Sequence, residues 1–307
     1  MSSVVIEGIQ LSPLMLGTGD LSKFNDTSIL DQYTALGGFT LDTAHQYTRS
    51  ELIIGEWMKK KGNREQIVIL TKCAHPYGKE KLPRVNPQAI REDLLESLDR
   101  LQTEYIDLYA LHRDDPSVPV EPIIDELNKH LQAGKIRSMG ASNWSYQRIQ
   151  EANNYAAAAG LRGFTFSSTN LSLAVAQAQR WPGSISADKA TVAWHEQNGL
   201  PLLAWSAQAG GFFSGGFTPE DRSNAEMVNV YYNDDNWERL RRAEGLAKEK
   251  GVSATQIALS YVLNRPFPTA AIIGPRNEQE LADSFRALSI QLSSRELEWL
   301  DLTGEDV

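Results

Sequence analysis

Charged and polar residues recur at the points where short apolar runs of the sequence end. Asp42, Lys72, His112 and Ser142 with Asn143 each end such a run, and successive positions are 30 or 40 residues apart. A carboxylate, an ammonium group and an imidazole are side chains that move protons or polarise a bound group. Each also has a simpler explanation, because Asp42 suits a helix cap, Lys72 a solvated rim and His112 a structural hydrogen bond. Their shared placement favours a common site.

The spacing of these residues matches the length of one βα unit. From about residue 36 the sequence alternates short apolar or β-branched runs with amphipathic stretches of about ten to fifteen residues, which is typical of successive βα units. In a closed barrel of parallel strands the carboxyl ends of all strands meet at one rim, where active sites of this fold are built. We therefore predict a (β/α)8 barrel that forms a single domain over residues 1–307.

The predicted elements cover most of the chain. The predicted strands are Leu14–Thr18, 39–42, 67–72, 105–111, 136–141, 163–168, 201–205 and 270–273. The predicted helices are Asp26–Leu36, Ser50–Lys61, Pro87–Leu101, Glu121–Ala133, Ser145–Ala159 and Asp188–Asn198. A Glu-Gly pair between short apolar runs predicts a β-hairpin over Val4–Leu11. The segment 207–252 is rich in Gly and then in Asn and Asp, which predicts an extended loop before a late helix.

Composition restricts the class of protein. The 307 residues are 41% hydrophobic and 22% charged, and no apolar run reaches the roughly 18 residues of a membrane helix. A net charge of -9 argues against a nucleic-acid partner. One cysteine, Cys73, excludes an internal disulfide, and Met1–Gln10 lacks the features of a signal peptide, so we expect a cytoplasmic protein. Neither the histidines nor Cys73 show metal-ligand spacing, and we expect no metal.

Longer motifs around the candidate residues resemble those of the aldo-keto reductase family. They are GFTLDTAHQY at 38–47 followed by Ser50 and Glu51, IVILTK at 67–72, IDLYALH at 106–112, GKIRSMGASN at 134–143 and IGPR at 273–276. The resemblance covers nearly the whole chain. It implies an oxidoreductase on a (β/α)8 barrel that passes hydride between a nicotinamide dinucleotide and a carbonyl or alcohol.

The resemblance assigns a catalytic role to four residues. Tyr47 is the general acid for reduction, or the base for oxidation. Because a free tyrosine has a pKa near 10, a nearby cation is expected to lower that pKa, and this is the role that Lys72 takes by resemblance. Asp42 keeps the lysine charged and oriented. His112 polarises and orients the substrate oxygen.

Residues expected to contact the nicotinamide follow three later strands. Ser142 and Asn143 match the family's carboxamide contacts, although they also suit a helix cap before Trp144. Ser168 stands at the end of strand six, where the family commonly has a glutamine. Trp205, with Ser206 after it, replaces the tyrosine that often stacks on the nicotinamide; the alternative is a core tryptophan.

The phosphates of the dinucleotide are expected to bind after strand eight. No Gly-x-Gly-x-x-Gly motif opens a helix in this sequence, whereas Gly274 and Arg276 lie where a barrel forms its phosphate site. A guanidinium at Arg276 can bind a 2′-phosphate through two hydrogen bonds, so NADP is the expected cofactor. NAD stays possible, because Glu280 replaces the cation or glutamine of many relatives and Ser284 replaces an asparagine.

The substrate class stays open between a simple aldehyde or ketone and a sugar. Polar candidates at the rim, Asp20, Arg113 and Asp114, suit a sugar, although Asp114 also suits a loop turn. A different class of function is a nucleotide-sensing binding subunit on the same barrel. The intact set of four catalytic residues favours the enzyme. The sequence predicts no oligomeric state.

Overall fold

Eight parallel strands close into a barrel in the computed structural model, which describes residues 4–21, 27–77 and 82–304 apart from the Thr48 side chain. The strands are β1 Val4–Ile6, β2 Ile9–Leu11, β3 Leu14–Gly17, β4 Thr40–Asp42, β5 Val68–Cys73, β6 Ile106–Leu111, β7 Ile136–Ser142, β8 Ser167–Ser168, β9 Leu202–Ala204 and β10 Thr269–Ile273. Strands β3 to β10 pair in chain order, and β10 returns to pair with β3. The predicted (β/α)8 barrel is confirmed.

The strands are apolar along their length because both of their faces are buried. All six residues of β6 are buried, and so are all five of β10. One set of side chains fills the barrel, including Met15, Leu70 and Phe166. The opposite set packs against the surrounding helices as a larger core. The barrel is therefore a filled scaffold, with room for a ligand only at its ends.

Strands β1 and β2 form the predicted antiparallel hairpin, with Val4 opposite Leu11. Glu7 and Gly8 both adopt positive φ angles, as a tight two-residue turn requires. Val4, Ile6 and Leu11 pack into the cluster inside the barrel, and Val68 at the start of β5 packs against the same cluster. The hairpin thus covers the amino end of the barrel.

Helices follow most strands and lie close to the predicted positions. They are α1 Ser28–Ala35, α2 Thr48–Lys61, α3 Pro87–Arg100, α4 Val120–Gln132, α5 Tyr146–Ala158, α6 Lys189–Asn198, α7 Ala225–Tyr231, α8 Asp234–Lys250, α9 Ala254–Leu263, α10 Glu278–Arg286 and α11 Ser294–Leu300. Side chains cap many of them; the Asn86 carboxamide accepts from the Ala89 amide at the start of α3. The predicted first residue of the first helix, Asp26, lies outside the described residues.

The prediction of an extended loop over 207–252 is wrong for much of the segment. A 3-10 helix spans Ala209–Ser214, and α7 and α8 follow it. Helix α8 is mostly charged, and its buried stripe is narrow, with Leu240, Ala243 and Leu246 on one face. Such a sparse stripe gives little apolar periodicity. Strand β8 is shorter than predicted, because regular strand structure is confined to Ser167–Ser168 of the predicted 163–168.

Two helical glycines, one buried and one exposed, test how closely α2 packs against α3. Gly55 of α2 is buried, and a Cβ there would lie 2.3 Å from the carbonyl oxygen of Arg100 at the end of α3. Gly245 of α8 is exposed, and a Cβ there would meet nothing within 4 Å. We expect Gly55→Ala to lower the free energy of unfolding by about 1 to 3 kcal/mol through overpacking. Gly245→Ala should raise it by up to about 1 kcal/mol. Urea denaturation measures both; equal effects would contradict the close approach of α2 and α3.

Candidate active site

A cavity of about 1730 Å³ opens at the carboxyl ends of the barrel strands. Side chains from many parts of the sequence line it, and they include all four candidate catalytic residues and most of the candidate cofactor contacts. These residues are Asp42, Tyr47, Lys72, His112, Ser142, Asn143, Trp205, Ser206, Gly274, Arg276 and Glu280. The rim predicted from the sequence therefore exists as one continuous site.

Lys72 and Asp42 form a buried ion pair in the cavity wall. The Lys72 ammonium donates to the Asp42 carboxylate and also, over 3.0 Å, to the carbonyl oxygen of Thr43. Both side chains are less than one tenth exposed. Burial raises the pKa of Asp42 above its usual range, and the charge of Lys72 opposes that rise. Strands β4 and β5 are paired neighbours, which brings these two side chains together.

Tyr47 lies directly before α2, and the first turn of that helix is anchored at two points. The Ser50 hydroxyl donates to the carbonyl oxygen of Thr18 over 2.7 Å. The buried Glu51 carboxylate accepts from the Thr71 hydroxyl at 2.6 Å and from the Arg100 guanidinium at 3.3 Å. Ser50 and Glu51 therefore hold the start of α2 against neighbouring strands, which positions Tyr47 at the cavity.

The pKa of Tyr47 is raised, whereas a nearby cation was expected to lower it. Burial, and next the negative charge of Asp42, raise the pKa of the Tyr47 phenol to about 12. The charge that opposes this rise most strongly is the guanidinium of Arg113, not the ammonium of Lys72. The charge of Lys72, which was expected to lower this pKa, is not among the main influences on it. The physical reason is that Asp42 neutralises Lys72 at short range.

His112 is a neutral imidazole beside the tyrosine. Its ring meets that of Tyr47 edge to face, with centroids 5.9 Å apart, and that of His75 with centroids 4.7 Å apart. Burial and the nearby positive charges of Lys72 and Arg113 lower the pKa of His112 well below its usual value. Within the described part of the chain, the buried Nδ1 atom of this ring has no hydrogen-bond partner.

Asn143 connects three segments of the cavity wall. Its side-chain amide donates to the carbonyl oxygen of His112 at 3.1 Å and to the Ser142 hydroxyl at 3.0 Å. Its side-chain oxygen accepts from the amide of Ile185 at 3.1 Å. The backbone of Asn143 adopts a φ of +60°, a conformation that asparagine tolerates better than most residues. Both Ser142 and Asn143 are buried, at the end of β7.

Ser168 differs from the other candidate contacts. Its hydroxyl donates to the carbonyl oxygen of Leu203 on the neighbouring strand over 3.0 Å. Ser168 is fully buried and is not part of the cavity lining formed by the described residues. The backbone of Ser168 pairs with Ser142 and accepts from the Asn143 amide at 3.0 Å, but its hydroxyl is engaged by Leu203 and does not reach the cavity with the side chains of those two residues.

An aromatic wall follows β9. Trp205 lines the cavity and packs on Trp181, with ring centroids 5.3 Å apart and planes tilted by 36°. Ser206 adopts a φ of +51°, and its hydroxyl accepts from the Arg180 guanidinium at 2.8 Å. Arg180 in turn pairs with Glu226 of α7. The segment wrongly predicted as loop thus helps to hold the residues after β9.

Gly274 and Arg276 lie between β10 and the start of α10. Gly274 is exposed, and its Cα faces open space. Arg276 pairs with Glu280 through its side chain, with a shortest separation of 2.7 Å, and its backbone amide also donates to Glu280. The Arg276 side chain is 78% exposed. The Arg276 guanidinium, which was expected to bind a 2′-phosphate, is therefore already paired with Glu280.

Two further cavity residues, Arg113 and Asp114, have contacts that the sequence did not predict. Arg113 was considered only as a polar sugar contact, although it follows His112 directly. Asp114 was considered for the same role, but its carboxylate pairs with the Arg148 guanidinium at 3.5 Å. His75 and Trp181 were missed; each lies in a loop after a strand, where an aromatic residue gives no periodic signal.

Two features are absent from residues 4–21, 27–77 and 82–304. No helix in these ranges is long and apolar enough to cross a membrane. No group of three or more His, Cys, Asp or Glu side chains there is arranged to hold a metal ion.

Comparison with known proteins gives one family. Residues 13–303 match the profile of the aldo/keto reductase family. A norsolorinic acid reductase of Emericella nidulans is 30% identical over 315 residues, which span 95% of this chain and 78% of that protein. A putative aryl-alcohol dehydrogenase of Saccharomyces cerevisiae is 29% identical over 322 residues, or 96% of this chain and 83% of that protein. The chain belongs to the aldo/keto reductase family.

A solved structure of the same family supports the fold. A thermostable aldo-keto reductase, crystallised in complex with the inhibitor epalrestat, superposes with a TM-score of 0.75. The match covers 99% of this chain and 100% of the other, at 22% sequence identity. At that identity the likeness concerns the barrel and not the ligands.

The two pKa shifts predict a flat pH dependence. Because the Tyr47 pKa is raised, the phenol keeps its proton to high pH; because the His112 pKa is lowered, the imidazole stays neutral to low pH. We expect kcat/KM for reduction of a neutral aldehyde to change little between about pH 7 and about pH 10. A fall of about tenfold across that range, at saturating cofactor, would show that Tyr47 loses its proton there.

Proposed function

We propose that this protein is an NADP-dependent oxidoreductase that reduces an aldehyde, ketone or sugar carbonyl to an alcohol. One observation carries the proposal: Tyr47 and the neutral His112 stand in edge contact at a cavity whose wall holds the buried Lys72–Asp42 pair. The names of the relatives, a reductase and a putative alcohol dehydrogenase, agree with this chemistry.

The cavity suits a nicotinamide dinucleotide in two respects. The buried Nε1 of Trp205 has no hydrogen-bond partner within the described residues, as expected for a donor that meets a ligand. The cavity also extends from Tyr47 to the start of α10, which gives a long ligand an apolar wall at one end and a helix N-terminus, which favours anions, at the other. Trp205, Ser142 and Asn143 would hold the nicotinamide end, and Ser206, Gly274 and Arg276 the phosphate end. When bound, the dinucleotide supplies the hydride.

The protein's own residues handle the proton. The protonated phenol of Tyr47 donates to the oxygen of the carbonyl as negative charge develops there. Lys72 has three N–H groups, of which two go to Asp42 and Thr43, so the third is available to the phenolate that forms. His112 is neutral and donates one N–H to the same carbonyl oxygen, which orients that oxygen without adding a further positive charge to those of Lys72 and Arg113.

Removal of the Tyr47 hydroxyl tests the proposed proton donor. Tyr47→Phe should lower kcat by about 10²- to 10⁴-fold and leave the affinity for NADPH almost unchanged, because only a transition-state interaction is lost. Oxidation of NADPH with a panel of aldehydes and ketones measures turnover, and fluorescence titration measures binding. A variant with more than about a tenth of the wild-type kcat contradicts the assignment. Nucleotide binding by a wild-type protein that turns over no carbonyl would favour a nucleotide-sensing subunit.

Arg276 and Glu280 test the choice of cofactor. Arg276→Ala should weaken NADPH binding by about tenfold, the equivalent of one charge-assisted hydrogen bond, and should weaken NADH binding much less. Glu280→Gln should have the opposite effect and tighten NADPH, because it removes the carboxylate that competes for the guanidinium and repels a phosphate. Fluorescence titration of each variant with NADPH and with NADH measures the change in both affinities relative to the wild type. Equal losses for NADPH and NADH in Arg276→Ala would indicate a packing role.

A further inference from the structure

Arg113 has a buried guanidinium that no carboxylate of the described residues pairs with. Its side chain donates to the carbonyl oxygens of His112 at 2.8 Å and Pro182 at 3.2 Å, and the residue is only 8% exposed. Across the ranges that the structure describes, no Asp or Glu forms an ion pair with it. Buried charges in proteins are normally paired, and Arg148, nearby, pairs with Asp114 and Glu151. Arg239 is likewise buried without an ion pair among the described residues, but it does not line the cavity, whereas Arg113 does.

The free part of this guanidinium belongs to the cavity. The Nη1 and Nε atoms are used by the two carbonyl oxygens, whereas Nη2 has no acceptor among the described residues. Arg113 lines the cavity with Tyr47 and His112, and it lies close enough to Tyr47 to oppose the rise in the phenol's pKa. The charge is therefore directed at the place where a substrate would react.

The position in the barrel separates Arg113 from the phosphates of the cofactor. Arg113 follows β6, and the Gly274–Glu280 segment follows β10. In the order β10-β3-β4-β5-β6-β7-β8-β9, strands β6 and β10 are four places apart in both directions. They lie on opposite sides of the barrel, so an anion at Arg113 belongs to the substrate.

The surroundings of Arg113 are apolar and aromatic. The carbonyl of Pro182 that holds the guanidinium follows Trp181, which is 43% exposed and packs on Trp205. Tyr77, at 78% exposure, lines the same cavity. Of the other two candidate sugar contacts, Asp20 lines the cavity, but Asp114 is engaged by Arg148. These walls suit a flat, apolar body better than a sugar.

We propose that Arg113 binds a carboxylate of the substrate, and that the substrates are aromatic carbonyl compounds with a carboxylate a few bonds from the carbonyl carbon. Arg113 is then a residue that determines specificity. Its planar guanidinium recognises a carboxylate in a way that an ammonium does only in part. This inference rests on the proposed function, because it assigns the substrate of the same site.

Paired substrates test the inference. We expect the wild type to prefer benzoylformate to its methyl ester, and 3-carboxybenzaldehyde to methyl 3-formylbenzoate, in kcat/KM. Arg113→Met should lower the ratio of acid to ester by about tenfold to a hundredfold, mostly through KM, and Arg113→Lys should restore part of it. Arg162→Met is the control, since exposed Arg162 pairs with Glu7 of the hairpin at the other end of the barrel; its ratio should equal that of the wild type.

The ratio of kcat/KM for acid to that for ester distinguishes a loss of carboxylate recognition from structural damage. If Arg113 only supports the loop at Pro182, Arg113→Met lowers kcat/KM for acid and ester alike, and the inference is overturned. If the wild type reduces no carbonyl compound with either cofactor, the proposed function fails, and binding then tests the inference. Calorimetry should in that case show that benzoate binds more tightly than benzamide to the wild type but not to Arg113→Met. If benzoate and benzamide bind equally tightly to the wild type, the inference about Arg113 is overturned.

Discussion

The site depends on closure of the barrel through the pairing of β10 with β3. Ala271 lies opposite Leu14 and Ile273 opposite Leu16, and the Ala271 amide donates to the carbonyl of Pro13 over 2.8 Å. This pairing joins the first and last strands of the barrel and brings Gly274 and Arg276 to the same cavity as Asp42 and Tyr47. Parallel strands present all their carboxyl ends at one rim, so closure alone gathers side chains that are more than 200 residues apart.

Burial strongly influences the protonation states of the side chains in this cavity. Lys72 is neutralised by Asp42 at short range, whereas Arg113 has no such partner among the described residues. The imidazole of His112, with Lys72 and Arg113 near it, stays neutral, and the phenol of Tyr47 keeps its proton. In a poorly hydrated site each of these interactions is stronger than in water. The same cavity therefore contains a protonated phenol, a neutral imidazole and the charge of Arg113.

Much of the fold was predictable because it follows from local patterns. Each barrel strand lies within two residues of its predicted start and end, except for β8, and the helices α2 to α6 begin and end within two residues of the predictions. Strands buried on both faces appear as continuous apolar runs, and helices that cover a barrel have a periodic apolar stripe, so each leaves a signal in the local sequence. Helix α8 was missed because its core-facing stripe is narrow in a mostly charged sequence.

The sequence by itself determined the class of fold, the family and the four residues Asp42, Tyr47, Lys72 and His112 that meet at the rim, because residue type and spacing along βα units are properties of the chain. Tertiary structure alone decided the rest. Whether Ser168 faces the cavity depends on side-chain direction in a two-residue strand, and its hydroxyl turns to Leu203 instead. The sign of the Tyr47 pKa shift and the burial of Arg113 without an ion pair to any described residue depend on distances between residues remote in sequence, which no local pattern encodes.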